Sequence, residues 1–190
     1  MDSPTRPRDY FVRHEHGSDR IAPEDAKNQP KNPVYAILDN LRSAHNVGSA
    51  FRTGDGANIA GLSICGYSPT PPHRHLAKTA LGAVDTVPWQ HFETTEAAIA
   101  HAREQGHQVL AVELTNKSAS LWEMDLQFPL TLVMGNEVDG LSEEICALCD
   151  QTVHLPMFGH KNSLNVSVAF GIVLYEVLRR YETAKTSSNE

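Results

Sequence analysis

Short apolar runs, each stopping at a polar or glycine-bearing loop and followed by a segment of helical period, constrain this chain more than any other feature. Residues 34–38 (VYAIL), 61–65, 109–114, 130–134 and 152–155 read as strands, with a further short extended segment at 86–92. Runs of this kind fit strands buried on both faces of a parallel sheet. Helical patterns fall between them at about 47–58, 75–80, 93–105 and 142–149, the third with Thr94 or Thr95 as cap and Gly106 as stop. The alternation predicts an α/β fold, a parallel sheet with helices on both faces. In such sheets ligands bind beyond the carboxyl ends of the strands. The loops after Leu38, Met134 and Leu155 stand there, and they are also the most unusual stretches of the chain.

The last helix has its own signature. Apolar residues fall on nearly every face from Leu164 to Leu178, after a cap expected at Asn162 or Ser163. A helix apolar all round is covered on more than one side, so this one should meet both its own sheet and a second surface. Ser163, Asn165 and Ser167 gather at its N-terminal end, where backbone N–H groups favour a ligand.

Length and composition set the frame. The 190 residues suffice for one domain with polar ends: an arm over 1–33 carrying five prolines, a domain over 34–181 and a frayed tail over 182–190. No apolar run approaches the roughly 20 residues of a membrane span, and the N-terminus lacks a signal-peptide core, so no membrane partner and a cytoplasmic location are expected. The net charge of −7 lies in residues 34–190, with ten Lys/Arg against seventeen Asp/Glu. That argues against bulk electrostatic binding of nucleic acid but leaves room for a local basic patch. His73, Arg74, His75 and Lys78 form one candidate patch, and Arg6, Arg8, Arg13 and Arg20 of the arm a weaker one.

Each loop carries chemistry. The stretch after Asp39 leads into Asn46-Val47-Gly48-Ser49-Ala50-Phe51-Arg52, where Arg52 is either a functional cation or a partner for Asp39 or Asp55. The loop 134–142 is bounded by Gly135 and Gly140 and carries Asn136, Glu137 and Asp139. It lacks the GK[ST] of a phosphate-binding loop, and its acidity suits a cationic or sugar-bearing ligand. Leu155 and Met157 beside Ser163, Leu164 and Asn165 would offer backbone groups and an apolar wall to an adenine ring. Cys146-x-x-Cys149 lacks a second pair, the histidines show no ligand spacing, and no metal site is expected. Trp89 and Trp122 are expected to be packing residues rather than base-stacking platforms.

NVGSAFRTGD, LVMGNEVDGLS and LPMFGHKNSLNVSVAFGI, in that order, make the chain resemble the SpoU (TrmH-like) class of SPOUT RNA methyltransferases from about residue 34 to 180. The tract CGYSPTPP…KTALGAVDTVPW looks like that of a compact subgroup. The resemblance implies a C-terminal deep trefoil knot and a homodimer formed through the knot region and last helix. It also implies methyl transfer from S-adenosylmethionine to a ribose 2′-hydroxyl of tRNA or rRNA. By the same resemblance the cofactor falls to Leu114, Gly135, Asn136, Gly140, Leu155, Met157, Ser163 and Leu164, and catalysis to Arg52, Asn46, Glu137 and Asn165. Asn46 and Glu137 are expected to hold Arg52 or the ribose. Lys161-Asn162 departs from the family pattern, which often has an acidic residue just before SLNVS. The alternative is a knotted RNA-binding or assembly factor without turnover.

Overall fold

The computed structural model describes residues 23–187. The expectation for the arm therefore lies largely outside the described residues; within it, Pro23–Asn28 forms a short helix, α1. The chain then alternates β1 (Asn32–Asp39), α2 (Ala44–Gly56), β2 (Ile59–Cys65), α3 (Arg74–Ala80), β3 (Trp89–Phe92), α4 (Thr95–Glu104) and β4 (Gln108–Val112). After β5 (Ala119–Ser120) and one 3-10 turn (Leu121–Glu123) come β6 (Leu130–Met134), α5 (Glu143–Leu148), β7 (Gln151–His154) and α6 (Val166–Ser187).

The seven strands form one sheet in the order β3-β2-β1-β6-β4-β7-β5, and every pairing is parallel. Pleat alternation divides β1 between two cores. Val34, Ala36 and Leu38 face a cluster with Val47 and Phe51 of α2, Leu76 of α3 and Phe170, Val173, Leu174 and Val177 of α6. Ile37 faces the opposite cluster, with Ala98, Ile99 and Ala102 of α4 and Ile145 of α5. The expected parallel sheet covered on both faces is therefore present. Cys65 is buried, and Cys146 and Cys149 pack at the edge of the second cluster as free thiols. Burial pushes the Cys65 and Cys149 thiols up to about 12, so neither is a thiolate nucleophile at neutral pH.

Three features differ from the sequence expectation. Helix α2 starts at Ala44, not near Val47, because the Ser43 hydroxyl accepts from the Asn46 N–H at 3.3 Å and caps it. Helix α6 is capped by neither Asn162 nor Ser163 but by Asn165, whose side-chain oxygen accepts from the Ser167 N–H at 3.0 Å. It also runs on to Ser187 where a frayed tail was expected. The Lys185–Glu182 pair at 3.1 Å and backbone bonds from the Thr186 and Ser187 hydroxyls support that end. Strand β5 is too short to leave a periodic signal, and it occupies the outer edge of β7.

Candidate active site

Adjacent strands β1 and β6 point their carboxyl ends at the same region, and β4 and β7 continue it. The loop after β1 is fastened from below: the Leu41 N–H donates to Ser68 Oγ at 2.7 Å, and Asp39 accepts from Asn40 and Thr95. From the loop after β6, Glu137 reaches across to accept from the Arg42 N–H at 2.9 Å, the Ser43 N–H at 3.1 Å and Asn46 Nδ2 at 2.6 Å. Asn46 Oδ1 in turn accepts from Asn165 Nδ2 at 3.4 Å. Asn165 also binds the Ser167 hydroxyl, at 2.6 Å. One hydrogen-bonded chain thus joins all three loops singled out in the sequence.

Burial alone would raise the Glu137 carboxyl. The bonds from Arg42, Asn46, its own backbone and Ser43 outweigh that push and hold it below its ordinary value. Glu137 is therefore ionised at neutral pH, with both oxygens engaged in holding the start of α2. It is poorly suited to accept a proton.

The loop 135–142 is wound on itself. Asn136 Oδ1 accepts from the N–H groups of Val138 and Asp139, both at 2.9 Å, and the Gly140 N–H donates to the Asn136 carbonyl at 3.2 Å. Two glycines are required. Gly140 has φ +67°, and a Cβ there would strike the Glu113 carboxylate. A Cβ on Gly135 would lie 2.6 Å from the Leu141 nitrogen and collide with the Gly140 backbone. Glu113, which the sequence reading did not single out, bridges two loops: its oxygens accept from the Leu114 and Leu141 N–H groups, each at 2.9 Å. Its signal was a carboxylate at the end of a buried strand, one residue before Leu114.

These loops enclose a cavity of about 660 Å³. Leu114, Gly135, Asn136, Gly140, Leu155, Met157, Ser163 and Leu164, the residues assigned to the cofactor by resemblance, all line it. So do Glu137 and Asn165, while Asn46 joins it through its bonds to both. The volume is that of a small-molecule site. Val112, Met134, Leu155, Met157 and Leu164 offer apolar contact, and Glu113, Asp139 and Lys161 offer charge of both signs. Such a donor set fits S-adenosylmethionine, which carries an adenine ring, a ribose, a sulfonium and a zwitterionic amino acid end.

Arg52 stands apart. It is exposed on α2 and does not line the cavity, and its side chain makes no hydrogen bond or ion pair among the described residues. Of the two expected roles for Asn46 and Glu137, holding Arg52 or holding the ribose, the first is not met: six residues along a helix places Arg52 nearly two turns from Asn46. It is not a partner of Asp39 or Asp55 either, since the first accepts from Asn40 and Thr95 and the second from Thr86. The candidate basic patch is exposed on α3, which packs on α2. There the His75 ring lies 5.6 Å from His45 and 5.9 Å from His73. Trp89 packs edge-on against Phe51, as expected of a packing residue, with centroids 6.3 Å apart. Trp122 does not: it is 53% exposed and carries Phe158 stacked on it.

The model of the SpoU rRNA Methylase family matches residues 33–175. The chain belongs to the SpoU family. A SpoU relative from Escherichia coli K12, tRNA (guanosine(18)-2′-O)-methyltransferase, is 33% identical over 165 residues, covering 87% of this chain and 70% of that protein. Among solved structures, the A. aeolicus TrmH/SpoU tRNA modifying enzyme superposes with a TM-score of 0.75 at 29% identity, over 87% of this chain and 83% of that one. An AdoMet-bound rRNA methyltransferase from Sinorhizobium meliloti gives a TM-score of 0.73 at 30% identity, over 85% of this chain and 61% of that one.

Proposed function

We propose that this SpoU chain transfers the methyl group of S-adenosylmethionine to a ribose 2′-hydroxyl of a tRNA or rRNA. The observation that carries the reading is the Glu137–Asn46–Asn165 chain of hydrogen bonds at the edge of the 660 Å³ cavity. It brings together polar residues that are 91 and 119 positions apart. A module that only bound RNA would gain nothing from assembling them.

When bound, S-adenosylmethionine supplies a sulfonium methyl, an electrophile for a ribose oxygen. The chain's residues divide the remaining work. The backbone and apolar side chains of Gly135, Leu155, Met157 and Leu164 hold the cofactor, with Leu114, Asn136, Gly140 and Ser163 completing the cradle. Glu137 fixes Asn46, and Asn46 and Asn165 face the substrate. Arg52, with its guanidinium uncommitted, orients the phosphate beside the target ribose and offsets charge developing on the hydroxyl oxygen. It acts without losing a proton, which a guanidinium does not do in proteins. As the new C–O bond forms the methyl–sulfur bond breaks to leave a thioether, and the hydroxyl proton departs late, to water.

The domain is residues 34–181, and the active form is a homodimer. Val168, Ile172 and Tyr175 leave an apolar stripe on α6 that is 50%, 47% and 54% exposed in the single chain. A second copy covers it. The C-terminal segment is threaded as a trefoil knot. Support comes from β7 lying between β4 and β5, so that the loop 113–129 embraces the strand from which α6 departs. Among the described residues no helix is long and apolar enough to cross a membrane, and the cysteines are free, consistent with work in the cytoplasm.

Calorimetry with S-adenosylmethionine, paired with mass mapping of ribose methylation in tRNA and rRNA with and without the gene, tests the reading. Micromolar cofactor binding and one lost 2′-O-methyl mark are expected. No binding at millimolar cofactor would sink it in favour of a non-catalytic factor. Arg52→Ala is expected to keep cofactor affinity and lose turnover at least about a hundredfold.

A further inference from the structure

Outside the cavity, the most unusual surface feature is an aromatic pair. Phe158 is 86% exposed and its ring stacks on Trp122, with centroids 6.0 Å apart and planes 27° from parallel. Each ring comes from a different loop. Trp122 sits on the 3-10 turn anchored by fully buried Leu121, with its backbone N–H donating to Ser120 Oγ at 3.3 Å. Arg180 Nη1 of α6 fastens the same turn from behind, donating to the Met124 carbonyl at 2.7 Å. Phe158 rises from the loop that follows β7. The base of the pair is thus rigid while its outer face is bare.

The neighbours of the pair suggest what covers it. Met157 and Lys161, on either side of Phe158, line the cavity, whereas Phe158 and Trp122 do not. The pair therefore stands just outside the site, at its rim. His160 and Lys161 are exposed just after Phe158, and Lys117 is exposed five residues before Trp122, so each loop carries an exposed lysine that can meet a phosphate. Glu123 and Asp125 are exposed close after Trp122 in the chain, so a bare phosphate is disfavoured on that side and a neutral ring is not. A stacked aromatic face beside cations is the arrangement that takes unpaired bases of single-stranded nucleic acid.

We infer that the Trp122–Phe158 pair is a stacking platform for an unpaired base of the RNA substrate, close to the nucleotide that is methylated. The inference rests on the methyltransferase reading above. Phe158 presents the outer π-face, Trp122 backs it, and His160 and Lys161 take the adjoining phosphates. Val168, Ile172 and Tyr175, the stripe assigned to a second copy, lie on a different element from both rings.

The test uses the full chain and fluorescence anisotropy with unfractionated tRNA and with rRNA, at low and at raised salt. Phe158→Ala and Trp122→Ala are each expected to weaken RNA binding about tenfold, and Phe158→Leu about as much. Phe158→Tyr should restore affinity to within about threefold, since it keeps the π-face. The loss ratio should persist at raised salt, because stacking is not screened as phosphate contacts are. S-adenosylmethionine affinity by calorimetry and mass by light scattering should match wild type in every variant. Variants that bind RNA as wild type does, while cofactor binding and methylation persist, overturn the platform alone. Loss of the dimer in Phe158→Ala also overturns it, by assigning the pair to an interface between copies. Wild-type chain that binds neither cofactor nor RNA overturns both readings.

Discussion

Glu137 and Gly140 show how single residues set the site. Glu137 spends its charge on the Arg42 and Ser43 N–H groups and on Asn46, so its removal should loosen the start of α2 rather than empty the cavity. Glu137→Ala is expected to lower kcat/KM about a hundredfold while the cofactor Kd moves less than about threefold, measured by steady-state methylation and calorimetry. Gly140→Ala should do the reverse. Its positive φ and the carboxylate of Glu113 oppose any side chain there, and the displaced loop lines the cavity. A loss of about 1–3 kcal/mol in stability and at least tenfold in cofactor affinity is expected, read by denaturant titration and calorimetry. Adding Glu113→Ala should return little of the stability, because it removes the clash but leaves the backbone strain and takes the acceptor from the Leu114 and Leu141 N–H groups. At this scale the sequence was legible where chemistry concentrates in a motif: Asn46, Glu137 and Asn165 meet as the motifs suggest. Glu113 was not legible, since a lone carboxylate after a strand carries no pattern. The isolation of Arg52 was half-visible, because a six-residue offset displaces it from Asn46 along the helix rather than beside it.

Among the elements, α6 carries the most testable electrostatics. Arg179 bonds Glu176 at 2.9 and 3.0 Å, and Arg180 bonds it at 2.7 Å. The Arg179 hydrogen bond, then that of Arg180 and the charges of both, outweigh burial and hold the Glu176 carboxyl down to about 2, from an ordinary 4.5. A carboxyl depressed in the folded state stabilises it above its unfolded value and stops doing so as pH falls through the folded one. Glu176→Gln is therefore expected to cost about 1 kcal/mol at neutral pH, a modest value because Arg179 is exposed to solvent while Glu176 and Arg180 are only half-buried. The gap between variant and wild type should close as pH drops from 4.5 towards 2, in urea titrations taken at successive pH values. Strand β6 ends where its apolar run does, at Met134, because both faces of the sheet are covered there. Helix starts were less legible. Ser43, Asn162, Ser163 and Asn165 are all good caps in isolation, and only tertiary contacts choose among them. The Asn165 bond to Asn46 is the contact that selects it for α6.

Across the whole molecule, the division of surfaces follows from which helix faces the sheet leaves uncovered. Helix α6 buries Phe170, Val173, Leu174 and Val177 and turns Val168, Ile172 and Tyr175 outward. Ile172→Glu is expected to convert a dimer into a monomer by light scattering, with little loss of thermal stability in the monomer, because the side chain is not in its core. That α6 would carry apolar residues beyond those its own sheet covers could be read from a helix apolar on nearly every side. The seven-strand order could not, because periodicity says which segments are strands and not which are neighbours. The tie between Asn46 and Asn165 also fixes a sequence in time. A ribosome delivers Asn46 119 positions before the amide that completes its hydrogen bonding. The first loop therefore waits, capped by Ser43 but not yet closed, until the start of the last helix has emerged and docked. A chain still under synthesis holds the parts of its pocket without their mutual lock, and competence for RNA modification arrives as one of the last events of folding.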